Sequence, residues 1–314
     1  RRINGFTLLG GASAARPNSS NDIEGLEVYA DGVVAVAGND IFFSLDGTDW
    51  LQINKASVDA SGDNYSTFTG RSELSLTNLD QCEFAIYEGI SEYGELIITD
   101  KSGSNKPFLF KMTGTGALTN RTFFVSQITI SGSTTAKHCT IHNNHLVVAG
   151  DTSTPNTLYY SSTGDIDSFT GSGAGSIVLE DKIVGLKSFR NELFIFCQNS
   201  LFKLQNISNA STIQVVPVTK NVGCIDGQTI QEIAGDLIFL APDGFRTVAG
   251  TARIGDVELG TISQNIQPII NDIVLNKSQY QFSSVVIRTK SQYRMFYSKT
   301  TDSTSTSKGI IGVL

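Results

Sequence analysis

Short apolar segments separated by polar turns recur along the whole chain, and this pattern predicts β-strands almost throughout. Six times, an apolar segment is followed by a turn and then by a second apolar segment, which is the sequence form of a β-hairpin. The six predicted hairpins lie at residues 33–44, 95–110, 145–161, 192–204, 236–248 and 284–297.

The spacing of these hairpins predicts the fold. They recur at intervals of roughly 45 to 60 residues, and a recurrence of about 40 to 50 residues is typical of β-propeller blades, each a four-stranded sheet. A continuous apolar strand begins each hairpin, as expected for a strand buried on both faces between neighbouring blades. A β-sandwich or a stack of β modules is the alternative, although sandwich strands alternate more cleanly. We therefore predict an all-β propeller or propeller-like ring of about six blades, with residues 1–314 as a single domain.

Two predicted hairpins end in similar sequences, which supports a repeated blade. Residues 41–50 and 158–169 both run from an aromatic pair through Ser, a polar turn with Gly and an Asp, to a final ring. Glycine allows positive φ, the Asp can bond its own backbone, and we expect the ring to pack back on the blade. The first copy is one residue short of the Asp-box turn of sialidase-type propellers, Ser-x-Asp-x-Gly-x-Thr-Trp. Such boxes are structural turns, so this similarity favours the fold and indicates no chemistry.

One segment, near residues 263–275, departs from the β pattern. Its isoleucines recur at i, i+3, i+4 and i+7, which predicts a helix over Gln264–Leu275. Ser263 is the predicted N-cap, and Pro268 lies near the first turn, where proline is tolerated. We expect the helix to pack on a sheet, with partner binding as the alternative. The predicted apolar face consists of Ile266, Ile269, Ile270 and Ile273.

Composition narrows the class of protein. The chain has 23 Lys and Arg, 30 Asp and Glu, a net charge of −7 and only 17% charged residues, against a typical share of about 25%. This argues against a coiled coil and against a basic, DNA-wrapping protein. No apolar run reaches the roughly 20 residues of a membrane span. Because the chain begins at Arg1 without Met and ends in an apolar run, we expect a piece of a longer or processed polypeptide.

All three histidines lie within eight residues of the chain, beside a cysteine, and these are residue types that bind Zn²⁺. A strand would place His138 and His142 on one face and Cys139 on the other, with His145 beyond the Asn143-Asn144 turn. Four convergent ligands are therefore not expected. We interpret the segment as a hairpin at a solvent edge and predict no metal site.

No motif marks an enzyme. The sequence has no Gly-x-Ser-x-Gly elbow and no phosphate-binding loop, and Cys82, Cys197 and Cys224 lie in apolar settings typical of core residues. A pair of carboxylates for glycoside hydrolysis could converge only in space, and no arginine pattern suggests a clamp for a substrate carboxylate. We therefore predict no catalytic residues and no cofactor. The carboxylates considered are Asp46, Asp49, Asp165, Asp167 and Asp243, and the arginines are Arg121, Arg190 and Arg246.

Three stretches, in order, carry a resemblance to a known family. They are residues 145–150 with 159–169, residues 222–224 with 235–245, and residues 262–263 with 266–269. In this order they resemble the propeller-like tail nozzle, or tail hub, proteins of short-tailed (podovirus-type) bacteriophages. The resemblance covers about the middle and last two-thirds of the chain. It consists of propeller motifs in a characteristic order and includes no reacting groups.

The resemblance implies a structural virion protein of the phage tail, assembled as a homo-oligomeric ring, commonly a hexamer, around the DNA-ejection channel. It further implies tail adaptor and tail fibre or needle proteins as partners, and transient passage of genomic DNA without specific binding. An acidic surface would offer few phosphate contacts, so we expect lumen-facing loops to be acidic or neutral. The alternatives are a carbohydrate- or receptor-binding propeller, for which the single Trp50 in a repeat turn is weak support, and a glycosidase-like propeller.

Overall fold

Six antiparallel sheets follow one another along the chain. The computed structural model describes residues 17, 22–53, 76–89, 91–133, 135–249, 262–299 and 307–313. Over these residues each sheet is a meander whose strands pair in chain order. Six such meanders in succession make the chain a six-bladed β-propeller, which confirms the predicted fold class. The chain divides into two compact units, residues 1–177 and 178–314, so its arrangement as one domain stays a prediction.

The first unit contains three blades of four strands. Blade 1 consists of β1 (Ile23–Tyr29), β2 (Gly32–Ala37), β3 (Asp40–Ser44) and β4 (Leu51–Gln52). Blade 2 consists of β5 (Cys82–Tyr87), β6 (Glu95–Asp100), β7 (Phe108–Thr113) and β8 (Thr122–Gln127). Blade 3 consists of β9 (His138–His142), β10 (His145–Ala149), β11 (Thr157–Tyr160) and β12 (Gly175–Val178), at whose end the two units meet in sequence.

The second unit contains blades 4 to 6. Blade 4 consists of β13 (Ile183–Phe189), β14 (Glu192–Cys197), β15 (Leu201–Gln205) and β16 (Gln214–Thr219). Over the described residues the last two blades have three strands each: β17 (Gln231–Ile233), β18 (Asp236–Ala241) and β19 (Gly244–Thr247), then β20 (Tyr280–Ile287), β21 (Gln292–Lys299) and β22 (Lys308–Val313). Short 3-10 helices occur at Leu118–Asn120, Gly227–Thr229, Gln264–Ile266, Lys277–Gln279 and Arg288–Lys290.

The second strand of each of the first five blades is the continuous apolar segment in the sequence pattern. Strand β10 is buried at all five positions, and β2, β6, β14 and β18 are buried at all but one position each. The prediction that these strands are buried on both faces is therefore confirmed. The predicted hairpins are the second and third strands of blades 1 to 5, and the first two strands of blade 6.

Aromatic rings fill the space between neighbouring blades. Between blades 1 and 2, the ring of Phe110 lies 5.1 Å from that of Tyr29, 6.3 Å from that of Phe43 and 6.2 Å from that of Phe123. Burying such a side chain stabilises the fold by about 1.5–3 kcal/mol. In the second unit, the ring pair Phe245 and Tyr293, 5.4 Å apart, joins blades 5 and 6.

One glycine in the first strand of blades 1 and 4 allows the next blade to approach closely. A Cβ on Gly25 would lie 2.6 Å from the ring of Phe84. A Cβ on Gly185 would lie 2.6 Å from Cδ1 of Ile230 and 3.0 Å from Cα of Gly227. Each glycine also follows a shift in strand register, between residues 23 and 25 and between residues 183 and 185. Larger residues at these positions would have to displace the neighbouring blade.

The predicted helix is present as a 3-10 turn, Gln264–Ile266, that continues into α1, Gln267–Leu275. Ser263 lies at the N-cap position of the 3-10 turn, as predicted, but its side chain makes no capping hydrogen bond. Its Oγ instead accepts a hydrogen bond from the backbone N–H of Phe245 at 3.0 Å, which holds the start of the helix against β19.

The apolar face of α1 is narrower than the sequence pattern predicts. Ile270 and Ile273 are fully buried against blades 5 and 6, whereas Ile269 is 44% exposed and Ile266 is only partly buried. The helix therefore packs on the sheets through two of the four predicted isoleucines. No helix among the described residues is long and apolar enough to cross a membrane.

Candidate functional site

The histidine segment is a hairpin, as predicted. Strands β9 and β10 pair so that His142 lies opposite His145. Asn143 and Asn144, between them, adopt left-handed backbone conformations with φ of 47° and 61°. Asparagine tolerates this region better than most residues, which suits it to the tight turns of hairpins.

The prediction that this hairpin is exposed to solvent is wrong. His138, His142 and His145 are only 6%, 2% and 0% exposed. Although β9 is the edge strand of its own sheet, β5 of the neighbouring blade packs against it. His138 Nδ1 lies 2.9 Å from Oε1 of Glu83 on that strand. The adjacent blade therefore covers an edge that the sequence pattern leaves open.

The buried imidazoles serve as connections between structural elements. His145 Nδ1 lies 2.6 Å from the carbonyl oxygen of Ser161, and its Nε2 lies 3.1 Å from the hydroxyl of Thr163. The pKa of His142 is lowered by burial and by the neighbouring His145. Across the described residues, no three or more His, Cys, Asp or Glu side chains come together in a way that could hold a metal ion.

The first candidate carboxylate, Asp46, organises its own turn. Its Oδ1 accepts hydrogen bonds from the backbone N–H groups of Thr48 at 2.8 Å and Asp49 at 3.3 Å. Hydrogen bonding by Thr48, and then by Asp49, lowers the pKa of Asp46 to about 2. Since the carboxylate is already occupied by local donors, this arrangement stabilises the turn.

The repeated ring also behaves as predicted. Trp50 packs against the small Ala35, Ala37 and Phe42 cluster of blade 1, and its Nε1 donates to the carbonyl oxygen of Gly47 at 3.2 Å. The side chain is partly buried and its only polar donor is in use. It does not form an exposed platform of the kind that stacks on a sugar.

Asp165 and Asp167 are the two candidate carboxylates that the structure brings together. They lie in one exposed loop of blade 3. A hydrogen bond between the two side chains, with smaller contributions from burial and charge repulsion, raises the pKa of Asp165. Asp243 lies in the β18–β19 turn of blade 5, where the guanidinium of Arg246 contacts its carboxylate through two nitrogens.

The two buried arginines hold turns together. The side chain of Arg121 is 1% exposed and contacts both carboxylate oxygens of Asp31, at 2.7 and 2.6 Å, joining blade 2 to blade 1. It also donates to the carbonyl oxygen of Gly116 at 3.0 Å. Arg246 is similarly buried, at 2%, beside Asp243. These guanidinium groups are therefore already paired within the fold.

The buried cysteines are core residues, as predicted for Cys82, Cys197 and Cys224. All four cysteines are buried thiols. Burial raises the pKa of Cys139 and of Cys197 to about 12. The reactive thiolate form is thus strongly disfavoured at neutral pH.

The turn that joins the first strand of a blade to its second, here called the first turn, carries exposed charge in blades 1, 2, 4 and 6. In the second unit these turns are contiguous, because Nη2 of Arg190 donates to the carbonyl oxygen of Gly235 at 2.6 Å. Gly235 in turn lines a cavity of about 330 Å³ together with Arg288 and Ser291 of blade 6. Nη2 of Arg288 lies 4.0 Å from Oε2 of Glu232 in the same cavity.

The first turns of the first unit carry the opposite charge. Asp31 lies in the first turn of blade 1, and Glu88 and Glu92 lie in that of blade 2; all three are exposed. None of these acids was predicted from the sequence as a functional residue. A repeat between residues 23–32 and residues 183–192, which share Ile-x-Gly-Leu, is the sequence signal that could have identified these turn positions.

Known proteins resemble this chain in fold alone. No protein family and no curated protein matches the sequence. Hsv2 of Kluyveromyces lactis is 10% identical, with a TM-score of 0.37 over 93% of this chain and 98% of that one. PorZ of Porphyromonas gingivalis is 11% identical, with a TM-score of 0.45 over 100% of this chain and 47% of PorZ. BamB of Moraxella catarrhalis is 10% identical, with a TM-score of 0.34 over 71% and 67%.

None of these three neighbours is a phage tail protein by its description. At such low identity and TM-score, their functions carry no argument for this chain. The blade count rests on the six sheets themselves.

Proposed function

We propose that this chain is a non-enzymatic, structural β-propeller whose surfaces hold other protein subunits. The observation that carries this proposal is that the reactive side chains are already engaged within the fold. His138, His145, the buried arginines and the thiols that the sequence offers for chemistry are committed to hydrogen bonds, ion pairs or the core. Exposed charged side chains such as those of Glu88, Glu92 and Arg288 lie in turns, where they are available to partners.

Within this class, we propose a component of a phage tail nozzle that forms a ring around a DNA-ejection channel. The support is the sequence resemblance, whose motifs fall on β10–β11, β18–β19 and the start of α1. The net charge of −7 suits a surface past which DNA must move without sticking. Partners on this proposal are further copies of the chain, the tail adaptor, and the tail fibre or needle proteins.

Electron microscopy of the purified full chain tests the nozzle proposal. The expected result is a ring of subunits with a central pore, and native mass spectrometry should return a single closed subunit number. A particle that stays monomeric at all concentrations and salt conditions would overturn the ring.

A glycosidase assay tests the non-enzymatic part separately. Asp165 and Asp167 lie in one exposed loop, and the raised pKa of Asp165 invites the test, since acid catalysis uses such groups. We expect no turnover on a panel of glycosides. Turnover that disappears in Asp165→Asn or Asp167→Asn, and persists in the turn variant Asp46→Asn, would overturn the proposal.

A further inference from the structure

The first turns of the two units carry exposed charge of opposite sign. The first turns of blades 1 to 3 are residues 30–31, 88–94 and 143–144, and in sequence they contain three acids and no Lys or Arg. The acids, here called the acidic row, are Asp31, Glu88 and Glu92, and each is exposed.

The first turns of blades 4 to 6 are residues 190–191, 234–235 and 288–291, and they contain three bases and no Asp or Glu. These bases, here called the basic row, are Arg190, Arg288 and Lys290, and each is exposed. The side chain of Arg288 is 79% exposed. The cavity of about 330 Å³ beside Arg288 gives this row a concave surface that an incoming turn can enter.

Each row contains one residue that has an ion-pair partner within the chain. Arg121 neutralises Asp31 in the acidic row, and Glu232 stands 4.0 Å from Arg288 in the basic row. Each row is therefore left with two charges that have no ion-pair partner in these contacts, negative in one unit and positive in the other. The two surfaces therefore oppose each other in sign.

We propose that the basic row of one copy of the chain binds the acidic row of a second copy. Charge complementarity of this kind sets register and partner choice, and it accelerates encounter between partners. A second copy is the partner favoured because a single chain carries both halves of the contact, and two unlike surfaces generate rings when the rotation closes. The inference rests on the proposed function in one respect, that copies of the chain assemble, and it names the surface by which they do so.

Sedimentation velocity on the full chain tests the contact by its salt dependence. We expect association at about 0.01 M salt, where the Debye length is about 30 Å, and dissociation at about 1 M, where it is about 3 Å. Association that is equally strong at both salt concentrations would overturn the proposal, because an apolar contact would then hold the copies together.

Charge reversal tests the residues. Arg288→Glu with Lys290→Glu, and separately Glu88→Lys with Glu92→Lys, should each weaken association roughly tenfold or more. Mixing the two variants should restore it, because the acidified basic row of one then meets the lysines of the other. The control Lys277→Glu reverses one positive charge at an exposed site outside the first turns. This variant should associate like the parent chain. Circular dichroism confirms that each variant folds.

The outcomes separate this inference from the proposed function. Rings that form unchanged in both reversal variants would overturn the proposed surface and leave the structural role standing. A parent chain that never associates would overturn both. The parent chain could instead retain duplex DNA, with this retention lost only in the variant that carries Arg288→Glu and Lys290→Glu. In that case the partner of the basic row is a polyanion, and the proposed contact between copies is wrong.

Discussion

Blades 1 and 4, the first blades of the two units, follow the same plan at a constant offset of 160 residues. Ile23 pairs with Ala37 and Tyr29 with Gly32, just as Ile183 pairs with Cys197 and Phe189 with Glu192. Both first strands shift register at the same point. Both have a glycine, Gly25 or Gly185, where the next blade approaches.

The charges on this shared plan differ. Glu27 of blade 1 corresponds to Lys187 of blade 4, and the first turn Ala30-Asp31 corresponds to Arg190-Asn191. Over whole units, residues 1–177 have 10 Lys and Arg against 19 Asp and Glu, for a net charge of −9. Residues 178–314 have 13 against 11, for a net charge of +2. Apolar and glycine positions thus define the blade, while its solvent-facing charges vary freely.

The largest effect should come from the core of one unit. Phe110 is fully buried among the rings of Tyr29, Phe43 and Phe123, so Phe110→Ala should cost about 3–5 kcal/mol. We expect the thiols of Cys82 and Cys139 in the same unit to become reactive to a thiol reagent. The matched variant Phe239→Ala, in the second unit, should instead expose Cys197 and Cys224.

Equal labelling of all four cysteines in Phe110→Ala would contradict this expectation. The two units would then unfold together, and their separation would be a feature of packing without consequence for stability.

The two buried arginines allow a second comparison. Asp31→Ala leaves the guanidinium of Arg121 without its carboxylate and also removes a contact between two blades. Since a hydrogen bond to a charged group contributes about 1.5–3 kcal/mol, we expect a loss of about 2–3 kcal/mol in the free energy of unfolding by urea. Asp243→Ala removes a contact three residues away in sequence and should cost less. A larger loss for Asp243→Ala would show that the contact between blades adds no stability.

Substitutions at Gly25 and Gly185 test whether these two equivalent positions contribute equally to the stability of blades 1 and 4. A Cβ at Gly25 or Gly185 would approach neighbouring atoms to 2.6 Å. Gly25→Ala and Gly185→Ala should therefore each cost about 1–3 kcal/mol, as overpacking typically does. Gly312, whose Cβ would approach no atom closer than 4.0 Å, is the control, and Gly312→Ala should be nearly neutral. If thermal melts give the same melting temperature for all three variants, the close approach of neighbouring atoms at Gly25 and Gly185 does not explain why these positions are glycine.

The smallest predicted effect depends on pH. Asp151 is buried, which alone would raise its pKa, but hydrogen bonds from Ser133, Thr135 and Ser153 hold its pKa well below the usual value. Because the folded pKa is depressed, its contribution to stability is present above about pH 4 and is lost as the pH falls further. Asp151→Asn should cost about 1–2 kcal/mol at pH 7 and progressively less in acid. A cost that does not vary with pH would mean that the charge is irrelevant.

The strands that the sequence predicts most clearly are those buried on both faces. In β10 and β14 the apolar residues are continuous, so local sequence alone reveals them. First strands such as β1, with half-exposed positions, and short outer strands such as β4 have no comparable signal. The helix and its N-cap position were predicted from local sequence, whereas the partner of the Ser263 hydroxyl was not, because that partner is the backbone N–H of Phe245 in β19.

By itself, the sequence determined the all-β class, the repeated hairpins, the helix near residues 263–275 and the burial of Cys82, Cys197 and Cys224, because periodicity and apolar content act locally. Only the tertiary structure decided what covers the histidine hairpin, which carboxylate Arg121 pairs with, and where acidic and basic turns gather. These features depend on contacts between residues 55, 90 and 45 positions apart. No local pattern encodes such contacts, since they form only when one blade packs against the next.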